Sequence, residues 1–94
     1  MNDVPIPTPL DASLQAMLTQ VKDDLAKRLS IDPSKIELVE MSSVTWPDGS
    51  LGCPKPGMAY TQMLVDGMRI RLKAGSQVYE YHSGGSRPAF LCEQ

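Results

Sequence analysis

One run, Pro47-Asp48-Gly49-Ser50-Leu51-Gly52-Cys53-Pro54-Lys55-Pro56-Gly57, constrains this chain more than any other. It holds three prolines and three glycines, and it follows directly on Trp46, the only tryptophan. Proline fixes φ and glycine opens the φ > 0 region, so the mixture specifies one unusual backbone path. A flexible linker would carry glycine and serine without the prolines. Leu51 and Cys53 give the segment something to bury. The expectation is an ordered loop over residues 47–57, anchored by buried Trp46 and Leu51, and shaped loops often carry function.

Around this loop the pattern is that of a small α+β domain. Residues 1–8 read as an extended lead-in, because Pro5, Pro7 and Pro9 favour polyproline geometry. Thr8-Pro9-Leu10-Asp11 is a helix start with a capping threonine and proline at the first helical position. Leu14, Met17, Leu18, Val21, Leu25 and Leu29 then recur at spacings of three and four, which predicts an amphipathic helix over 9–30. Pro33 stops it, and Asp32-Pro33-Ser34-Lys35 reads as a turn with 3₁₀ character. Residues 36–46 form the first strand, with Ile36, Leu38 and Glu40 on one face and Glu37, Val39, Met41 and Ser43 on the other.

After the loop, residues 59–65 alternate weakly and read as strand. Asp66-Gly67 carries a hairpin signal. Met68, Ile70 and Leu72 alternate with Arg69, Arg71 and Lys73, the cleanest period-two pattern in the chain. A turn at 74–77, a strand at 78–82, a flexible connection at 83–88 and a short strand at 89–92 complete the sheet region, 36–92. One helix packed on an antiparallel sheet of about four strands gives a two-layer α+β single domain over 1–94.

Composition excludes several function classes. The net charge is −2 and the nine Lys and Arg are not clustered, so no basic stripe for nucleic acid exists. No stretch reaches the ~18 apolar residues of a membrane span. The sequence Met1 to Pro9 has neither a basic region nor an apolar core, so no signal peptide is visible and the chain as it stands is expected in the cytoplasm. No P-loop, GxSxG or dinucleotide fingerprint is present.

The chemistry-bearing residues are few. Cys53 and Cys92 admit three readings: a structural disulfide, two buried thiols, or a redox or nucleophilic role. They are expected to lie within bridging distance, tying the loop to the last strand. His82, the only histidine, lacks an assured partner for Cys-His catalysis. Cys53, His82 and Cys92 lack a fourth ligand at a recognisable spacing, so no metal or cofactor is expected. Tyr79 and Tyr81 share one strand face, and with Tyr60 and Trp46 they make either a binding surface or ordinary cross-strand packing. Arg69, Arg71 and Lys73 form a one-sided ladder that acidic residues on a neighbouring strand would neutralise. Gln62 to Gly67 is similar to the Gln-x-Val-x-Gly hairpin of cystatins, with one residue too many.

The run from Trp46 to Gly57, with Tyr60, Gln62, Gly67, Tyr79-Glu80-Tyr81-His82 and Leu91-Cys92, resembles a family of small uncharacterised bacterial domains. Its pattern is Trp-x-x-x-Ser-Leu-Gly-Cys-Pro-x-Pro-Gly-x-x-Tyr-x-Gln, then Tyr-x-Tyr-His, then Leu-Cys. The resemblance implies no reaction. It implies frequent export, a setting in which the two cysteines are oxidised. These readings together predict a monomeric, non-catalytic binding module for a protein or peptide. Its candidate binding residues are Trp46, Asp48, Ser50, Leu51, Lys55, Tyr60, Gln62, Tyr79, Tyr81 and His82. The alternative is a small protease-inhibitor-like domain presenting the 46–60 loop or the Asp66-Gly67 hairpin.

Overall fold

The helical stripe is realised as α1, Ala12–Leu29, in a computed structural model that describes residues 3–5 and 12–92. The capping sequence expected at 8–11 lies outside the described residues. Val21, Leu25 and Ala26 are buried, and Leu14, Met17, Leu18 and Leu29 pack beside them. The helix stops at Ser30, which takes left-handed geometry (φ 57°) where glycine is usual. The Ile31 amide bonds the Ala26 carbonyl (3.0 Å) and the Ser30 amide bonds that of Lys27 (3.4 Å), a Schellman pair closed by Ile31 packing on the core. Asp32 then caps a short 3₁₀ turn, Pro33–Lys35, by accepting from the Ser34 amide at 2.9 Å.

Five strands make one antiparallel sheet in chain order: β1 Asp3–Pro5, β2 Ile36–Trp46, β3 Val65–Ala74, β4 Gln77–Gly84 and β5 Arg87–Leu91. The lead-in thus contributes a three-residue edge strand, pairing Val4 with Ser43. The other four strands form the expected meander.

Cross-strand partners share a face, so the register sorts the side chains. Leu38↔Leu72↔Tyr79 and Met41↔Ile70↔Tyr81 lie toward α1 and, with Ile36 and Ala74, form the main core. The Arg69, Arg71 and Lys73 ladder lies on the opposite face. Glu40 pairs with Arg71 on β2, and Glu80 on β4. Arg69 meets Glu40 at 3.0 Å; Arg71 reaches Glu80 at 3.3 Å and Glu40 at 3.6 Å. The expected neutralisation across strands is present.

Several local expectations are corrected. A bulge between Leu38 and Glu40 inverts the alternation of β2, so Met41 turns to the core and Glu40 away from it. Asp66-Gly67 is no hairpin. It lies inside β3, opposite Thr45 and Val44, because the chain leaves β2 at Trp46 and returns directly opposite it at Val65. Residues 59–64 are loop rather than strand. The connection expected over 83–88 shrinks to a two-residue turn at 85–86, since β4 runs to Gly84 and β5 starts at Arg87.

Helix and sheet are also joined by a polar contact. Tyr81, buried in β4, donates its hydroxyl to the Asp24 carboxylate, which also accepts from Arg28. The Tyr81 hydrogen bond, aided by Arg28, holds Asp24 below its ordinary value of 3.8 against the opposing effect of burial. Burial and that carboxylate push the Tyr81 phenol far up.

Two outcomes follow from this packing. Leu25→Ala should lower unfolding stability by about 2–5 kcal/mol in urea titrations, as for other buried leucines. Tyr81→Phe should lose about 1.5–3 kcal/mol at neutral pH, as for hydrogen bonds to charged groups. A carboxylate with a depressed folded-state pKa stabilises fully above its unfolded value and loses that effect as the pH falls through the folded one. The gap between wild type and Tyr81→Phe should therefore hold steady from pH 3.8 up to about 10, narrow below that window as Asp24 protonates, and narrow above it, where the unfolded phenol ionises before the folded one.

Candidate functional site

The loop between β2 and β3, residues 47–64, folds over the sheet face away from α1. Connections longer than about 12–15 residues without secondary structure are uncommon in compact domains and usually functional when ordered. Here the order has identifiable causes. Asp48 accepts from the Ser50 amide at 2.9 Å and from the Ser50 hydroxyl, which bends the chain and holds the Asp48 carboxyl below its usual range. The Leu51 amide bonds Asp48 O (3.3 Å) and the Cys53 amide bonds Ser50 O (3.1 Å). Gly49 donates to Thr61 O at 2.8 Å and closes the neck of the loop.

Leu51 is the pivot. It adopts left-handed geometry (φ 56°), rare for a non-glycine residue, and is buried against Val44 and Trp46 beside Val65 and Phe90. Its carbonyl accepts from Nδ1 of His82 at 2.8 Å. Nε2 of His82 faces Glu80 Oε1 at 2.7 Å, and the imidazole lies 4.5 Å from the Trp46 ring. Burial pushes the Glu80 carboxyl up, but His82 and Arg71 outweigh it and leave Glu80 below its ordinary value.

Trp46 is 2% exposed and donates its indole N–H to Ser83 O at 2.8 Å. Two glycines let the loop settle on it. A Cβ on Gly52 (φ 74°) would stand 2.3 Å from the Trp46 ring, and one on Gly84 would stand 2.7 Å from Leu51. Cys53 and Cys92 lie within bridging distance, as expected, with Cα atoms 5.8 Å apart, and they are joined, which ties the loop to the end of β5.

The expected binding residues divide into three groups. Trp46, Ser50, Leu51 and His82 are buried in the packing of the loop on the sheet, and Asp48 is engaged in its turn. Tyr79 and Tyr81 face α1, on the other side of the sheet, so the tyrosine surface joining them to Tyr60 and Trp46 does not exist. Lys55 and Gln62 are exposed, and Tyr60 is half-buried with its hydroxyl accepting from the Lys55 amide at 3.0 Å. That last bond braces the exposed corner Pro54 to Ala59.

Sequence reasoning missed the apolar surface. Met58, Met63 and Leu64 are 61%, 64% and 74% exposed. Met63 and Leu64 border a groove of about 310 Å³, floored by Leu51 and Val65 and walled by Gly49, Thr61 and the 84–87 turn. Reading 59–65 as strand hid them, because strand alternation assigns half of these residues to a core. Arg87 stands at the groove and stacks over Phe90 at 3.9 Å. Among the described residues no cluster of His, Cys, Asp and Glu is placed to hold a metal ion.

Residues 18–92 match the family model described as "Domain of unknown function (DUF8738)". Comparison with the curated proteins and with the solved structures finds no match.

The loop geometry separates two glycine substitutions. Gly75 also has positive φ (63°) but open space around its Cβ position. Gly75→Ala should cost only the left-handed penalty of roughly 1–2 kcal/mol. Gly52→Ala adds a collision with Trp46 and should cost a further 1–3 kcal/mol or so. Parallel urea titrations followed by Trp46 fluorescence check the order.

Proposed function

Since this chain belongs to the DUF8738 family of domains of unknown function, its activity has to be read from its own surface, and we propose a non-catalytic binding module for a protein or peptide. The observation that carries this reading is the exposure of Met58, Met63 and Leu64 on a loop whose backbone is otherwise pinned. Large apolar side chains held out in water beside a groove mark an interaction site more often than a chance exposure. Methionine suits such a surface because its unbranched thioether adapts to a partner's shape.

Preorganisation supports the same reading. The disulfide, the Asp48 turn, the Gly49–Thr61 neck and the His82–Leu51 bond fix the loop before any partner arrives. A fixed loop loses little entropy on binding, so more of the contact energy becomes affinity. The imidazole of His82 is engaged at both nitrogens in holding this loop, which supports a scaffold role for it over a catalytic one.

A protease-inhibitor-like use is a second reading, supported by the exposed and braced corner Pro54-Lys55-Pro56-Gly57. It is confined to that corner, because Asp66-Gly67 is a strand segment. Titration against cysteine and serine proteases tests it; unchanged protease activity at saturating protein counts against it.

The primary reading is tested with Met63→Asp/Leu64→Asp, two exposed changes that should leave stability within roughly 0.5 kcal/mol. Immobilised wild type should retain a defined partner from an extract of its native cells, and the variant should lose it. Equal retention by wild type and variant would refute the groove as the binding surface.

A further inference from the structure

A second cleft, of about 130 Å³, lies on the disulfide side of the loop and is lined by Gly52, Glu80, His82 and Cys92. The two sulfur-bearing residues stand differently to it. Cys53 is buried at 5% exposed, whereas Cys92 is half-buried and lines the cleft. The cleft volume far exceeds the roughly 10–15 Å³ that one water needs, so it admits the head of a small organic molecule. Thiol–disulfide exchange needs a thiolate to reach one sulfur, and access decides which sulfur is attacked.

We propose that this cleft is a thiol-exchange site, at which a small thiol attacks Cys92 Sγ, opens the bridge to Cys53 and thereby frees the loop over Trp46. The thiolate forms a bond to Cys92 Sγ. The Sγ–Sγ bond breaks and its electron pair leaves on Cys53 as a thiolate. A second thiolate attacks the reagent's sulfur in the mixed disulfide and expels Cys92 as a thiolate. Both protein thiolates take protons from solvent. The protein disulfide is reduced by two electrons, and two thiols are oxidised to one small disulfide.

The supports on either side of the bridge are unequal. Cys92 remains held after opening, because its amide bonds Glu80 O at 2.8 Å on the edge of the sheet. The Cys53 amide bonds Ser50 O, within the loop itself. Opening the bridge removes the covalent tie between the loop and the end of β5, leaving the His82–Leu51 bond and the Gly49–Thr61 neck to hold the loop while Cys92 stays on the sheet. The untied segment carries Gly52, which packs on the Trp46 ring, so Trp46 is the residue that registers the change. This inference does not depend on the binding role of the Met63–Leu64 groove. It makes the covering of Trp46 a property of the oxidised protein.

The test uses the full chain, folded and unreduced. Protein is treated with 2-mercaptoethanol in the presence of an alkylating reagent, which blocks the released thiol before it can reclose the bridge. Peptide mass mapping should place the mercaptoethanol adduct on Cys92 and the alkyl group on Cys53, with a preference on the order of tenfold set by access. Full reduction with dithiothreitol should shift Trp46 emission to the red and raise its quenching by acrylamide, with the far-ultraviolet circular dichroism retained. Glutathione should open the bridge more slowly than 2-mercaptoethanol by a larger ratio than it shows on an exposed disulfide. Adducts on Cys53 or spread equally over both sulfurs would overturn the assignment. Reduction that proceeds only at the rate of global unfolding would overturn the cleft route. Unchanged Trp46 emission after complete reduction would overturn the release of the loop.

Discussion

The burial of one indole organises the face of the sheet that the helix does not cover. Trp46 ends β2 with its ring on the far face, where a large aromatic would otherwise stand in water. Several features of the following loop relate to that ring. Gly52 lies flat on it, His82 stacks beside it, Ser83 accepts its N–H, and Leu51 fills the space next to it. Gly84 and Gly67 stand opposite one another where side chains would lift β3, β4 and the loop apart; a Cβ on Gly67 would come within 1.9 Å of Ser83 O. Burying a tryptophan favours folding by more than the left-handed geometry of Leu51 opposes it, which explains why the rare conformation persists.

The two faces of the sheet are consequently held by different physics. Toward α1 the contacts are apolar and continuous, from Leu25 to Ile70 and Leu72, with Tyr81–Asp24 as a polar link between helix and sheet. The far face is divided. One part is the Trp46 cluster under the loop. The other is an ionic ladder in which Glu40 and Glu80 flank Arg69 and Arg71, half-exposed and so contributing modestly per pair. His82 joins the two parts, since Glu80 of the ladder and Leu51 of the loop meet on its ring. A surface built this way presents its loop as a fixed shape from which Met58, Met63 and Leu64 stand exposed.

Much of the architecture was legible because it rests on strong local patterns. The Leu14-to-Leu29 stripe, the Pro33 stop, the alternation of Met68, Ile70 and Leu72, and the turn at Gly75 each have a periodicity or a breaker behind them. Burial of Trp46 and Leu51 and the proximity of Cys53 to Cys92 could also be anticipated, since an ordered loop rich in proline and glycine needs anchors. What escaped has a common cause: its signal is tertiary. The β2 bulge at Val39 inverts which face Glu40 and Met41 occupy, and no residue type there announces it. Gly67 was misread as a turn because its actual role, close approach to Ser83 and Gly84, is invisible along one strand. Tyr79 and Tyr81 share a face as expected, but that face belongs to the helix. The exposed Met63 and Leu64 looked like strand residues because apolar alternation is the same in a buried strand and in an exposed loop.

The loop is a fixed cover and Trp46 the element it covers. With a single tryptophan in the chain, the indole N–H gives one resolved proton resonance, and its exchange with solvent deuterium measures that cover directly. In the oxidised protein at neutral pH, the bond to Ser83 O should protect this proton by several orders of magnitude relative to a free indole, with opening close to that of the core. Exchange at the rate of an exposed tryptophan would contradict the account, and the loop would then be no fixed surface at all.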